Sequence, residues 1–245
     1  MVYILVVVAL VLQTIAASAA PASTGDTARP LSVLLVGNSH LLMPGFTKRL
    51  MRNLKGADKP HRTVKLGVIA KIGTTLTKSR KKKGTRRRLM AAAWDVIVLQ
   101  ESTTAFMTKH GRHNFQRAVD WFQKHKPAKS RLLLWQAWPQ GARHALYARR
   151  GVWGRWFKNP PRNPNQLFSW IASGVHRAAN KHDLAISPIG YCWMRLAKRK
   201  RPYAGDAYHP NGRGLTFIAR ILASSIVATA AGRTDSETRI VGECP

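Results

Sequence analysis

The sequence predicts an α/β fold: a single domain whose parallel sheet of five strands is covered by helices on both faces. Three observations carry that expectation. Five short apolar runs of strand length alternate with segments of helical period. The clearest runs are continuous in Val, Ile and Leu rather than alternating with polar residues, as strands buried on both faces require. The chain of 245 residues, 45% of them hydrophobic, is long enough to bury one substantial core and shows no internal repeat.

Each element has its own signal. Ser32 to Val36 is a continuous apolar strand, and Phe46, Leu50 and Leu54 then recur at helical spacing between Lys and Arg residues. Thr63 to Ala70 reads as the second strand, ended by a loop at Gly73, and Arg86 to Ala93 as a helix. Asp95 to Gln100, DVIVLQ, is the third strand, and Arg112 to His125 a helix closed by Pro127. Arg131 to Gln136 is the fourth strand. The stretch from Ala137 to Pro164, rich in Trp, Gly, Pro and Arg, reads as a long irregular loop or cap. A helix from Asn165 to Lys181, a short strand from Leu184 to Ile189, a helix over Tyr191 to Ala197 and a long helix from Gly212 to Ala231 complete the pattern. In such sheets functional residues gather at the carboxyl ends of the strands, which aligns Ser39, Gly73, Gln100 and the Ala137 loop on one edge.

Outside this domain, taken as residues 31–232, the first twenty residues read as a signal peptide. Their apolar core from Val2 to Leu12 is short for a membrane span, and Ala17-Ser18-Ala19 fits a signal-peptidase site. The lack of Lys or Arg before that core leaves an uncleaved anchor as the other reading. Residues 21–30 form a linker and 233–245 a C-terminal tail. A secreted or extracytoplasmic mature protein of about 225 residues follows, with no stable membrane insertion after cleavage. Cys192 and Cys244 then stand either as one disulfide or as two unrelated thiols. No Cys/His cluster has zinc-ligand spacing, and no metal or other cofactor is expected.

Lys and Arg number 41 against 10 Asp and Glu, a net charge of +31. The densest runs, Lys78–Arg88 and Lys198–Arg201, predict attraction to polyanions; the plainer reading is a solvated basic surface.

A serine hydroxyl becomes a nucleophile only beside a base that is itself oriented. Ser39 follows the first strand in Gly37-Asn38-Ser39. In Tyr203 to Gly214, YAGDAYHPNGRG, Asp206 precedes His209 by three residues, close enough to hold one ring nitrogen and leave the other outward. Two other readings of the motif are a helix entry at Pro210-Asn211-Gly212 and an Asp206–His209 metal pair.

These motifs, in this order, resemble the SGNH/GDSL hydrolase superfamily, in particular the branch with a Gly-Asn-Ser nucleophile block. The segments Val98-Leu99-Gln100-Glu101-Ser102 and Ser187-Pro188-Ile189-Gly190 match that branch too, and the resemblance runs from about Ser32 to Val227. It implies a flavodoxin-like three-layer α/β/α domain and a serine esterase. Ser39 would be the nucleophile, His209 the general base and Asp206 its orienter. Ser39 and Gly73 would offer backbone N–H groups to the oxyanion. The third-block asparagine of the family is missing; Gln100 is the candidate replacement, and Ser102 the next. Glu101 reads either as a partner of Gln100 or as a surface acid. Trp135, Trp138, Trp153 and Trp156 are candidates for stacking on a sugar ring, with core packing favoured for Trp135. His40 reads as structural, its side chain pointing away from the site. The expected substrate is a small ester or an acylated carbohydrate. The alternative is a polyanion-binding protein on a catalytically degenerate scaffold of this kind.

Overall fold

In the computed structural model, residues 29–57, 63–148, 156–233, 240–242 and 244–245 are described. The signal peptide, the linker up to Thr27 and Ala28, and Trp153 lie outside these residues. Five strands form the sheet: β1 (Leu31–Gly37), β2 (Val64–Ala70), β3 (Val96–Gln100), β4 (Arg131–Trp135) and β5 (Ala185–Ser187). All pair in parallel, in the order β2-β1-β3-β4-β5. Every residue of β1 and β3 is buried, which is why both read as unbroken apolar runs, whereas edge strand β2 is only partly covered.

The helices are α1 (Phe46–Ala57), α2 (Leu76–Arg80), α3 (Lys83–Met90), α4 (Lys109–His125), α5 (Pro164–His182), α6 (Ile189–Arg199) and α7 (Gly212–Ala230), with 3-10 turns at Ser39–Leu41 and Thr103–Met107. Helix α1 packs with α7, while α4 packs with α2 and α5, so the sheet lies between two helical layers. Phe46, Leu50 and Leu54 form the buried stripe of α1, as their spacing requires. Two differences from the sequence expectations have local causes. The short α2 begins at a Thr75 cap that accepts Lys78 N–H; its five residues carry too little periodicity to be read beforehand. Strand β5 stops at Ser187 because Pro188 caps a helix that takes over at Ile189, two residues earlier than the pattern of Tyr191 to Ala197 suggests.

The C-terminal segment is fastened to the body. Ile240 bridges to Ile186, Val241 N–H donates to Ile186 O, and Cys244 forms a disulfide with Cys192 on α6. Together these cover the free edge of β5.

This strand order reverses direction between β1 and β3. Ligands in open parallel sheets bind in the crevice outside that switch point. Ser39 leaves the end of β1, and Gln100 and Glu101 the end of β3.

Candidate active site

The turn that carries Ser39 is made by its neighbours. Asn38 caps the 3-10 turn by accepting His40 N–H at 3.1 Å. Its own N–H donates to Gln100 Oε1 at 2.9 Å. Gly37 makes this possible: a Cβ there would lie 2.4 Å from Gln100 Oε1 and 2.9 Å from both Gln100 Cβ and Leu41 Cδ1. The glycine is needed for close approach. Gly37→Ala is therefore expected to displace Gln100 and leave the Asn38 N–H buried without a partner. That should cost about 1–3 kcal/mol, read as a lower urea midpoint, and loosen the Ser39 turn; an unchanged midpoint would count against this packing.

His209 comes from the loop before α7. Tyr203 and Pro210 form an antiparallel bridge, Ala204 N–H donates to His209 O at 2.7 Å, and Asn211 caps α7 while its amide holds Arg201 O and Tyr203 O. Inside this closed loop Ala207 adopts φ +53°, a left-handed conformation that turns Tyr208 and His209 back over Asp206. Asp206 Oδ1 accepts Tyr208 N–H and His209 N–H, each at 2.9 Å, and Oδ2 lies 2.5 Å from His209 Nδ1. Burial pushes the Asp206 carboxyl up, but the hydrogen bonds from the His209 ring and the two amides outweigh it and leave it below its ordinary value. The other ring nitrogen, Nε2, lies 3.4 Å from Ser39 Oγ. Three residues spread over 170 positions thus stand in one line, and the histidine is both a loop residue near a helix entry and the partner of Ser39.

The exit of β4 braces this loop. Trp138 Nε1 donates to Tyr208 O, the Tyr203 hydroxyl to Pro139 O, and Gly141 N–H to Ala207 O. Trp138 is fully buried and stacks on Trp193, so it and the 2%-exposed Trp135 are core residues; Trp156 is exposed.

Gln100 corrects one expectation. It does not present its amide to the cleft: it is buried under the Ser39 turn, and Nε2 donates to Glu101 O at 2.7 Å. With Oε1 held by Asn38 N–H, the orientation of the amide is set by both ends. Gln100 supports the Ser39 turn from below. Gly73 lies in the loop after β2, on the same sheet edge, with φ +66° and open space where a Cβ would sit. Ser39 N–H, at the start of a 3-10 turn, has no acceptor within that turn. The hydroxyl of Ser102 is shared with Thr104 at 2.8 Å.

Two buried titratable groups surround the constellation. His40, expected to point away, instead lies between Trp138, Tyr208 and His209, with its ring centroid 5.6 Å from that of His209. Its Nδ1 faces Gln100 Nε2 at 3.4 Å, so the proton belongs on Nε2. Burial first, and the nearby His209 second, lower its pKa to about 3 and keep it neutral. The sequence places His40 beside Ser39, but adjacency along a turn does not say which way the ring faces. Glu101, 2% exposed, accepts Ser102 N–H at 2.6 Å and Leu76 N–H at 3.1 Å, tying the start of α2 to the end of β3.

No protein-family model matches the sequence, and no curated protein matches it. Solved structures match the fold. One is a protein from Slackia heliotrinireducens assigned to the SGNH hydrolases (TM-score 0.66, 20% identity, 81% of this chain and 100% of that one). A second is a DUF4886 family protein from Bacteroides uniformis (TM-score 0.60, 17% identity, 85% and 86%). A third is a catalytic mutant of an acetylxylan esterase from Geobacillus stearothermophilus (TM-score 0.60, 11% identity, 81% and 94%). The chain has the α/β fold of the SGNH hydrolases.

Proposed function

We propose that this protein is a serine esterase that hydrolyses carboxylic esters through an acyl-enzyme on Ser39. The observation that carries the reading is the line from Asp206 Oδ2 through the His209 ring to Ser39 Oγ. Asp206 keeps the proton on Nδ1, so Nε2 is free to take the Ser39 proton as Oγ attacks the ester carbonyl. The 3.4 Å separation closes by a few tenths of an ångström as the proton is shared. The oxyanion that forms is met by the N–H groups of Ser39 and Gly73. Collapse expels the alcohol, which takes the proton from His209 Nε2. Water then attacks the acyl-enzyme, giving a proton to the same nitrogen, and Ser39 recovers it as the acid leaves. No step uses Gln100. Ser102, just past the end of β3, is then the candidate for a third donor.

The substrate fits a short acyl group on a carbohydrate. Support comes from the likeness in fold to the acetylxylan esterase and from the open setting of Asp206 and His209, whose side chains are 48% and 31% exposed. Secretion, directed by residues 1–20, belongs to the same reading. The test is labelling by a fluorophosphonate probe together with turnover of a short-chain acyl ester. Wild type is expected to react and turn over, and Ser39→Ala to do neither; equal turnover in Ser39→Ala would overturn the assignment.

A second reading is supported by the engagement of the Gln100 amide and by the net charge of +31. In it the scaffold binds polyanions and Ser39 is inert. It predicts salt-sensitive retention on heparin with no labelling of Ser39.

A further inference from the structure

A cavity lies against the loop that carries Asp206. It has a volume of about 790 Å³ and is lined by Gly205 and Asp206 of that loop, with Met194, Ala197 and Tyr203 among its less polar walls. Four cations line it as well: Arg143 from the loop after β4, Lys198 near the end of α6, and Lys200 and Arg201 just beyond it. Lys198 and Lys200 also line an adjoining cavity of about 380 Å³ beside Cys192 and Cys244, together with Arg195 and Arg199, so the positive charge continues across both.

Capping of the α6 dipole accounts for Lys198 and Arg199 in its last turn. It does not account for Lys200 and Arg201 past the helix, nor for Arg143 from a different loop. The acids among the described residues are few. Among the described residues, Asp95 holds Ser32 N–H and Arg29, Asp120 holds Lys181 and His182, Glu101 is buried on Leu76 and Ser102, and Asp183 lines a different cavity, with Lys126 and Arg131. Asp206 turns its oxygens to the His209 ring and to the amides of Tyr208 and His209. No ion pair among the described residues involves Arg143, Lys198, Lys200 or Arg201.

We propose that this cavity is a subsite for an anionic group of the substrate, a carboxylate or a sulfate on the alcohol side of the ester. Asp206 and the His209 ring stand between the cavity and Ser39 Oγ, so the anion belongs to the sugar beyond the one that carries the acyl group. The substrate class is an acylated acidic oligosaccharide. The proposal rests on the esterase reading for its catalytic readout, and on binding alone for the rest. Converging cations recognise such an anion by charge, with Arg143 and Arg201 able to engage it bidentately.

The test compares three acetylated oligosaccharides: an oligouronide, its carboxyl-reduced neutral form, and a sulfated neutral chain. Wild type is expected to show a kcat/KM for the oligouronide or the sulfated chain at least about tenfold above that for the neutral form, equivalent to 1.4 kcal/mol. The ratio should fall toward one in about 1 M salt, where charges are screened within a few ångströms. The double variant Lys200→Glu/Arg201→Glu is expected to abolish the preference. Lys81→Glu/Lys82→Glu, the same charge change on the α2–α3 side, should keep it; equal loss there would show a property of net charge and overturn the subsite. Whichever anion is preferred identifies the group recognised. In parallel, calorimetry measures binding of the unacetylated oligouronide and sulfated chain to Ser39→Ala with and without the charge reversal. Turnover with a ratio near one in wild type overturns the subsite and leaves the esterase. Binding lost only on reversal at Lys200 and Arg201, in a protein that cleaves nothing, upholds the subsite and removes the esterase. No binding and no preference overturns the subsite.

Discussion

Asp206→Asn is expected to lower kcat for a short acyl ester by about 10⁴-fold while leaving the fold intact. The asparagine oxygen can keep the two N–H groups that Asp206 Oδ1 accepts, from Tyr208 and His209, so the loop retains its shape. Its NH₂ group then faces His209 Nδ1, where the carboxylate oxygen stood at 2.5 Å. An amide N–H can only donate there, so Nδ1 becomes an acceptor and the ring proton moves to Nε2. In that tautomer the nitrogen facing Ser39 cannot take its proton. The measurement is kcat against pH for wild type and variant, with circular dichroism to check the fold. A variant within tenfold of wild type at neutral pH would show that Asp206 does not set the tautomer.

A second large effect concerns stability. Burial raises the Glu101 carboxyl from 4.5 to about 8, against the downward pull of the Ser102 and Leu76 N–H groups. The folded chain therefore holds this proton more tightly than the unfolded one. The stabilisation is complete below about pH 4.5 and is lost as pH rises through about 8, a full linkage on the order of 5 kcal/mol. Glu101→Gln cannot lose a proton and keeps an oxygen for Ser102 N–H. Its stability relative to wild type is expected to grow by several kcal/mol from pH 5 to pH 9 in urea unfolding. A difference that does not change with pH would refute a protonated Glu101. His40 titrates with the opposite sign: its lowered pKa means stability present above about 6.5 and lost as pH falls toward 3. Taking the difference between variant and wild type cancels that contribution.

Particular residues show what was legible beforehand. The five strands were readable because β1, β3 and β4 lie between two helical layers, and burial on both faces leaves an unbroken apolar run. Ser39 and the Asp206–His209 pair were readable because a short loop can hold an acid three residues from its histidine. Helix α2 was missed because five residues carry no period. Gln100 was assigned to the cleft because a polar residue at a strand end reads the same whether its amide faces outward or supports a neighbouring turn. Cys192 and Cys244 left two readings open, which the approach of the last residues to α6 resolved as a disulfide.

By itself, then, the sequence determined the class of fold, the sheet edge where polar chemistry gathers and the order of Ser39, Asp206 and His209 along the chain. Periodicity and short-range spacing are written in consecutive residues. The tertiary structure alone decided that Gln100 binds the Asn38 N–H, that His40 packs against His209, that Glu101 is buried, and that Arg143 joins Lys198, Lys200 and Arg201 around one cavity. Each of those roles depends on which groups meet across long separations in the chain, and on how much water is left between them.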